Sequence, residues 1–237
     1  MTTRLLMGCE YQALVDTISG DTLGYEALAR FQTLEGQAVA PNSLFERLHH
    51  NPAQLARVEL AAKACQLRHA PLADKLFLNI DPHSLQGLDD DWFEALAQRG
   101  NITIELIENT CINDAVIATE LAHRLQHHGI RVALDDAGAP HALLSLPLLA
   151  QVDCIKFDRH WLDLLQDDCQ RTLFEHLLGF ARETGKTTVL EGIETQEQLT
   201  LARRLGLDMV QGFLFRERFI RQIPDTPLEL NFQAQPD

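Results

Sequence analysis

Acidic, amide and lysine side chains occur in this chain where short apolar segments end. Carboxylate and amide oxygens are the ligands that hard divalent cations prefer, and a lysine among them could orient water or stabilise phosphate charge. The residues are Glu26 in GYEALAR, Asn79 in LFLNID, Glu105 in TIELIE, Asp135 and Asp136 in RVALDD, Lys156 in CIKFD and Glu191 in TVLEGIE. One such group at the mouth of each successive strand is how a barrel assembles a site from distant segments. The pattern predicts a metal-dependent hydrolase.

The strongest local signal is the pair Asp135-Asp136, which directly follows the apolar run RVAL. Gly138 and Pro140 favour a turn there, and two carboxylates on a turn could bind two metals or bridge them. The alternative is that the pair caps a helix or lies in a solvated loop. Glu105 is predicted to be buried, and a metal would compensate a buried carboxylate.

Each remaining candidate also has a purely structural explanation. Glu26 could be an exposed strand residue, Asn79 a turn former with Asp81-Pro82, Lys156 a surface lysine that extends to solvent, and Glu191 and Glu194 carboxylates before a helix that begins near Thr195. Gln211 in VQGFLF is one more amide at a strand end.

Strand-like segments alternate with helix-like segments, which is typical of βαβ units around a parallel sheet. The beginning differs, because YQALVDTI, Ser19-Gly20-Asp21 and TLGYEALARF predict an antiparallel hairpin. The last strand is predicted at 210–215, and the tail from Pro224 is expected to pack loosely. We therefore expect one α/β barrel of about eight strands over residues 1–222, followed by a tail over 223–237.

Composition narrows the classes of function. The chain has 237 residues and a net charge of −14, and without a long basic run it is not expected to bind duplex nucleic acid. Its apolar stretches are too short for a membrane span, and MTTRLLMGCEYQ does not predict a signal peptide. Five cysteines without a CxxC motif are typical of reduced thiols in a cytoplasmic protein.

Taken in order, these segments resemble the EAL-domain family, which hydrolyses the bacterial second messenger cyclic di-GMP. The resemblance extends from about Tyr11 to Phe215. The motifs that carry it are Glu26-Ala27-Leu28 followed by Arg30, NID at Asn79, ELIE at 105–108, Asp135-Asp136, KFDR at Lys156, EGIE at 191–194 and QG at Gln211.

The resemblance implies a modified TIM-type (β/α)8 barrel whose first strand is antiparallel, with two Mg²⁺ or Mn²⁺ ions at its mouth. It implies a first metal held by Glu26, Asn79, Glu105 and Asp135. The second metal would share Asp135 and would be held by Asp136 and reached by Glu191.

The same resemblance implies how the substrate is handled. Lys156 and Glu191 would orient the water that attacks one phosphodiester bond, and the product would be linear pGpG. Arg30 would contact a phosphate, while Leu28, Gln211 and Glu194 would complete the substrate site.

One segment departs from the family pattern. After Asp-Asp the family usually reads FGTGYSSL, whereas residues 137–144 read AGAPHALL, so that only Gly138 and Leu144 match. This loop motivates an alternative, a receptor or interaction module that binds cyclic di-GMP or another protein without cleavage. A barrel enzyme acting on another phosphate ester is a third interpretation. A homodimer or a regulatory protein partner also stays open.

Overall fold

The computed structural model describes residues 2–85, 88, 90–107, 112–140 and 142–231. The strands are β1 (Thr2–Asp16), β2 (Thr22–Thr33), β3 (Ala38–Val39), β4 (Lys75–Asn79), β5 (Ile102–Ile107), β6 (Arg131–Ala137), β7 (Cys154–Phe157), β8 (Thr187–Leu190), β9 (Met209–Val210) and β10 (Ile220–Asn231). The helices are α1 (Pro41–Leu48), α2 (Pro52–His69), α3 (Asp90–Ala97), α4 (Ile112–His127), α5 (Leu146–Gln151), α6 (Trp161–Leu164), α7 (Asp168–Glu183) and α8 (Gln196–Leu205). Short 3-10 turns occupy Pro82–Leu85 and Phe213–Arg218.

Eight strands close into a ring in the order β1-β2-β4-β5-β6-β7-β8-β9 and back to β1. The strands from β2 to β9 in this ring pair in parallel, while β1 is antiparallel to both of its ring neighbours. The protein is therefore an α/β barrel with an antiparallel first strand, as the hairpin pattern predicts. The polar turn around Gly20 joins β1 to β2, and its φ of 76° suits glycine.

Alternation along the strands explains why the barrel interior has layers. A small buried cluster fills the lower interior with Leu14, Phe77, Ala133, Cys154, Val189 and Met209. Each of these residues lies two positions from a polar residue of the mouth, and residues two apart in a strand share a face. The apolar layer thus closes the barrel beneath the polar one. A larger core packs between the outer faces of the strands and the helices.

Helix boundaries follow the local sequence. Thr195 caps α8 through the reciprocal hydrogen bonds of a capping box with Gln198, and Gly206 ends the helix in the left-handed conformation. Gly129 follows α4 with a φ of 75°. The beginning of α8 near Thr195 agrees with the sequence prediction.

Two sequence predictions near the C-terminal end are wrong. Residues 213–215, predicted as part of the last strand, belong to a 3-10 turn, because Gly212 (φ 155°) redirects the chain immediately after Gln211. The segment from Pro224 was expected to pack loosely, but up to Asn231 it forms β10, which pairs with β1 from Thr2 to Tyr11. Residues 232–237 lie outside the described part of the chain. No helix among the described residues is both long and apolar enough to cross a bilayer.

Candidate metal centre and active site

The barrel mouth carries one polar layer to which all eight ring strands contribute. Its members are Gln12, Glu26, Asn79, Glu105, Asp135, Lys156, Glu191 and Gln211. Six of them lie within two residues of the end of their strand, whereas Gln12 and Glu26 lie opposite each other within the longer strands β1 and β2. The carboxyl ends of parallel strands meet at one face of a barrel, so that residues far apart in sequence converge.

The ammonium of Lys156 lies at the centre of this layer. Its Nζ is 2.5 Å from Glu105 Oε1, 2.7 Å from Asp135 Oδ1 and 2.7 Å from Glu191 Oε1. Glu26 Oε2 is more distant, at 3.4 Å. Lys156 and Glu105 have no exposed surface. Burial alone would lower the pKa of Lys156, but the surrounding carboxylates outweigh burial and raise it well above its ordinary value.

Glu26 is held by two amide side chains, one at the end of β4 and one directly after β9. Asn79 Nδ2 donates a hydrogen bond to its Oε1 at 2.7 Å, and Gln211 Nε2 donates to its Oε2 at 2.6 Å. Gln211 Nε2 also lies 3.2 Å from the side-chain oxygen of Gln12. Burial raises the pKa of Glu26, but the charge of Lys156 and these amide donors outweigh it, so that the pKa is lowered. Glu26 is therefore an anion in this layer.

A backbone irregularity brings Asp135 and Asp136 to the same side of β6. Asp136 has a φ of 54°, and the pairing register with β7 shifts between Leu134 and Ala137. This turn prevents the alternation that would direct adjacent strand residues to opposite faces. Oxygens of Asp135, Asp136 and Glu191 consequently lie within 4.8 Å of one another.

The turn after Asp136 is tightly packed. Gly138 has a φ of 88°, and a Cβ atom there would lie 2.2 Å from Nε1 of Trp161. That Nε1 donates a hydrogen bond to the carbonyl of Ala137 at 2.8 Å. Ala139 N donates to the carbonyl of Asp136 at 2.9 Å. These contacts fix the backbone conformation at Asp136.

Several buried oxygens in the layer lack a hydrogen-bond donor. They are Glu105 Oε1 and Oε2, Asp135 Oδ1 and Gln211 Oε1. The Lys156 ammonium compensates Glu105 Oε1 and Asp135 Oδ1, so that Glu105 Oε2 and Gln211 Oε1 are the acceptors left without a partner among the described residues. A buried acceptor without a donor is costly, and a cation that binds several oxygens would remove that cost.

Electrostatics also favour an additional cation. Burial and the neighbouring carboxylates raise the pKa of Glu105 well above its ordinary value, raise that of Asp136 to about 6 and raise that of Glu191 to about 8. Burial likewise raises the pKa of Asp135. In each case the charge of Lys156 opposes the shift without cancelling it. The donor set consists of hard oxygens, which fits Mg²⁺ or Mn²⁺.

A cavity of about 850 Å³ opens above the layer. Of the residues predicted to form the site, it is lined by Glu26, Leu28, Arg30, Asn79, Asp135, Asp136, Glu191, Glu194 and Gln211. Glu105 and Lys156 lie beneath this surface. Glu194 is half-exposed, with an oxygen 3.6 Å from Arg159, and does not join the network around Lys156.

The structural alternatives for four candidates are wrong. Glu26 is not an exposed strand residue, since only 5% of its surface is accessible, and Lys156 does not extend to solvent. Asp135 is buried rather than in a solvated loop. Asn79 contacts Glu26 instead of forming a turn with Asp81, which accepts from the backbone of His83.

The sequence analysis missed two polar residues of β1, Glu10 and Gln12. Both are on the strand face that carries the polar layer, and Gln12 Nε2 donates to Glu10 Oε1 at 3.0 Å. Their alternation with Cys9, Tyr11 and Ala13 would have identified this face. Glu108 of the ELIE motif and His141 of the segment 137–144 lie outside the described residues.

Fold and site together define an α/β barrel with a carboxylate-rich mouth suited to divalent cations. The family model described as "EAL domain" matches residues 6–218. The chain belongs to the EAL domain family.

Named relatives show the same similarity. The chain is 24% identical over 217 residues to "Probable cyclic di-GMP phosphodiesterase PdeD" of Escherichia coli, covering 87% of this chain and 40% of that protein. It is 24% identical over 212 residues to "Cyclic di-GMP phosphodiesterase TpdA" of Vibrio parahaemolyticus, covering 88% and 36%. The chain thus spans well under half the length of these curated relatives.

Solved structures agree on the fold. The Klebsiella pneumoniae BlrP1 manganese and cyclic di-GMP complex at pH 6 superposes with a TM-score of 0.71 and 25% identity, covering 94% of this chain and 58% of that one. The EAL domain of FimX from Pseudomonas aeruginosa, bound to cyclic di-GMP, has a TM-score of 0.70 and 20% identity, covering 87% and 88%.

Proposed function

We propose that this chain is a metal-dependent phosphodiesterase that hydrolyses cyclic di-GMP to linear pGpG in the cytoplasm. The observation that carries the proposal is the convergence of four carboxylates on one buried lysine, with Asp136 beside two of them, at the floor of an 850 Å³ cavity. A structural role alone would not require so many carboxylates around one cation. The names of the relatives supply the substrate class.

The donor groups suit two divalent ions. Glu26, Asn79, Glu105 and Asp135 would hold one Mg²⁺ or Mn²⁺ ion, and Asp135, Asp136 and Glu191 would hold the second. When bound, such ions lower the pKa of water and neutralise charge on a phosphodiester.

The remaining tasks fall to the chain itself. Lys156, whose raised pKa keeps it protonated, is not a base, so that it acts as a fixed positive charge and hydrogen-bond donor. Glu191 lies at the cavity surface beside Lys156, where it can accept a hydrogen bond from water and direct a lone pair toward phosphorus. Arg30 lies at the cavity wall, where it would bind a phosphate of the substrate. The planar guanidinium group can donate two parallel hydrogen bonds to phosphate oxygens.

The test is incubation of the purified protein with cyclic di-GMP and either Mg²⁺ or Mn²⁺, with separation of the products by chromatography. We expect pGpG with at least one of the metals and none in EDTA. Glu105→Gln should remove the activity, while Glu94→Gln, at an exposed position of α3, should not. Absence of pGpG with both metals would contradict the proposal.

A second candidate is a receptor that binds cyclic di-GMP without cleaving it. The observation that favours it is the departure of residues 137–144 from the family pattern directly after the two aspartates. Ligand binding in EDTA combined with no turnover in either metal would identify the receptor. Rapid turnover would exclude it.

A further inference from the structure

A second polar cluster lies beside the cavity, on strands that extend beyond the barrel ring. Its centre is Glu10 of β1, of which only 5% is exposed. Arg30 Nη2 donates to Glu10 Oε1 at 2.7 Å, and Nε of Arg221 in β10 contacts Glu10 Oε2. Two guanidinium groups therefore share one buried carboxylate.

This arrangement leaves one positive charge in excess next to the cavity. Arg30 lines the cavity and its side chain is about a third exposed. It gives Nη1 to the carbonyl of Ala29 and Nη2 to Glu10, which uses two of the five N–H donors of a guanidinium group. Its other donors are free of any hydrogen bond among the described residues. One edge of the Arg30 guanidinium group is thus held by the protein, and the other edge can bind a ligand in the cavity.

Glu10 is also linked to the metal centre. Gln12 donates to Glu10 and accepts from Gln211, and Gln211 donates to Glu26. A continuous series of side-chain hydrogen bonds therefore connects the arginine at the cavity wall with a candidate metal ligand. It passes through β1, the strand that closes the ring.

We propose that Glu10 is a positioning residue that holds Arg30 in place to bind a phosphate of the substrate, and that Arg221, on the other oxygen of Glu10, fixes the orientation of that carboxylate. Without Glu10, Arg30 would be a long side chain with several rotamers, and binding would carry the entropic cost of ordering it. Arg221 lies outside the residues that match the family model, 6–218.

The inference rests on the proposed function, since it assumes a ligand with phosphate groups. Kinetics separate positioning from chemistry. Loss of a contact that is made equally to substrate and transition state raises KM and leaves kcat unchanged. Glu10→Gln keeps the shape of the side chain but removes the charge that orients Arg30. We expect KM for cyclic di-GMP, and its Kd measured by calorimetry in EDTA, to rise about tenfold, the order expected for loss of one oriented charged hydrogen bond.

The conservative Glu10→Asp should recover part of this loss, and Arg221→Gln should weaken binding less than Glu10→Gln. The matched control is Glu229→Gln, which removes another ion pair between β1 and β10, that of Arg4 with Glu229, far from the cavity wall. Its KM and Kd should equal those of the unmodified chain. Thermal melting of every variant shows whether the fold is retained.

The outcomes are distinguishable. If the unmodified chain binds cyclic di-GMP and Glu10→Gln binds equally well, the positioning role is wrong and the proposed function stands. A Glu10→Gln variant that loses kcat together with its melting temperature, without recovery in Glu10→Asp, would show a structural role instead and also overturn the inference. If the unmodified chain neither binds nor hydrolyses cyclic di-GMP, both proposals fall together.

Discussion

Nζ of Lys156 and Oε1 of Glu105 lie 2.5 Å apart, and neither side chain is exposed to solvent. An ion pair without water can be stable only if the remaining charges nearby are also compensated. Here the negative charges outnumber the positive one, because Asp135, Glu26 and Glu191 surround the same ammonium. Lys156 therefore organises the carboxylates of the barrel mouth even without a metal.

Lys156→Met tests this organising role. The substitution keeps an unbranched side chain one atom shorter but removes its charge, leaving buried carboxylates without a partner. We expect the free energy of unfolding in urea and EDTA to fall by about 3–5 kcal/mol. Arg4→Met removes an exposed ion pair and should cost about 1 kcal/mol or less. An equal loss in the two variants would contradict the central position of Lys156.

Metal binding should stabilise the native protein. A ligand that binds only the folded state at 100 times its Kd adds about 2.7 kcal/mol. Titration of Mn²⁺ into protein treated with EDTA should therefore raise the melting temperature, and Glu105→Gln should greatly reduce that rise because it removes the charge of a carboxylate whose Oε2 lacks a hydrogen-bond donor. Glu94→Gln is the control, and its response should match that of the unmodified chain. A melting temperature that does not depend on Mn²⁺ would argue against the metal centre.

Gly138→Ala should disturb the aspartate turn. The new Cβ would overlap Nε1 of Trp161, and the φ of 88° is unfavourable for alanine. We expect a loss of at least about 2 kcal/mol in unfolding free energy, combined with a lower affinity for Mn²⁺ as Asp136 shifts.

Two glycines serve as controls for that experiment. Gly20→Ala has a similar φ of 76° but open space around the Cβ, so it measures backbone strain without overlap. Gly179→Ala lies in α7 with nothing nearby and should stabilise the protein by about 0.5–1 kcal/mol. A Gly138→Ala variant no less stable than Gly20→Ala would exclude the overlap with Trp161.

The charge of Glu10 should make stability depend on pH. Burial raises its pKa, but the hydrogen bond from Gln12 and the charges of Arg30 and Arg221 outweigh burial, so that the native pKa lies below its ordinary value of 4.5. Between these values the unfolded chain binds more protons than the native one, and stability rises with pH. The contribution is fully present above about pH 5 and disappears as pH falls through the native pKa.

Glu10→Gln measures this contribution by difference. The gap in unfolding free energy between the two proteins should be constant above pH 5 and should narrow as pH falls below 4.5, measured by urea denaturation at fixed ionic strength. A gap that persists unchanged to pH 3 would contradict ionisation of Glu10 in the native state.

The barrel was predictable because polar residues at strand ends and helix stop signals are both local patterns. The turn at Asp136 was partly predictable, since Gly138 and Pro140 suggested that the alternation breaks there. The central position of Lys156 was not. A lysine between apolar residues is compatible with exposure as well as burial, and only the convergence of carboxylates from other strands decides between them.

The extension of the sheet was missed for a different reason. Pro224 and Pro227 argue against a central strand. They are tolerated in β10 because it is an edge strand, which among the described strands pairs only with β1. The cluster of Glu10 with two arginines depends on that pairing, which joins residues more than 200 positions apart. Patterns within a window cannot show it.

The pairing of β10 with β1 also bears on solubility. Residues 2–11 of β1 pair with β10 on one side, and from Leu5 onward β1 also pairs with β2 on the other. Truncation after Arg218, where the family match ends, would leave about ten residues of β1 with unsatisfied backbone groups and expose apolar side chains such as Leu5 and Met7. An open edge of this kind recruits strands from other molecules. Strand β10 therefore protects the folded protein against self-association and also contributes Arg221 to the cluster around Glu10.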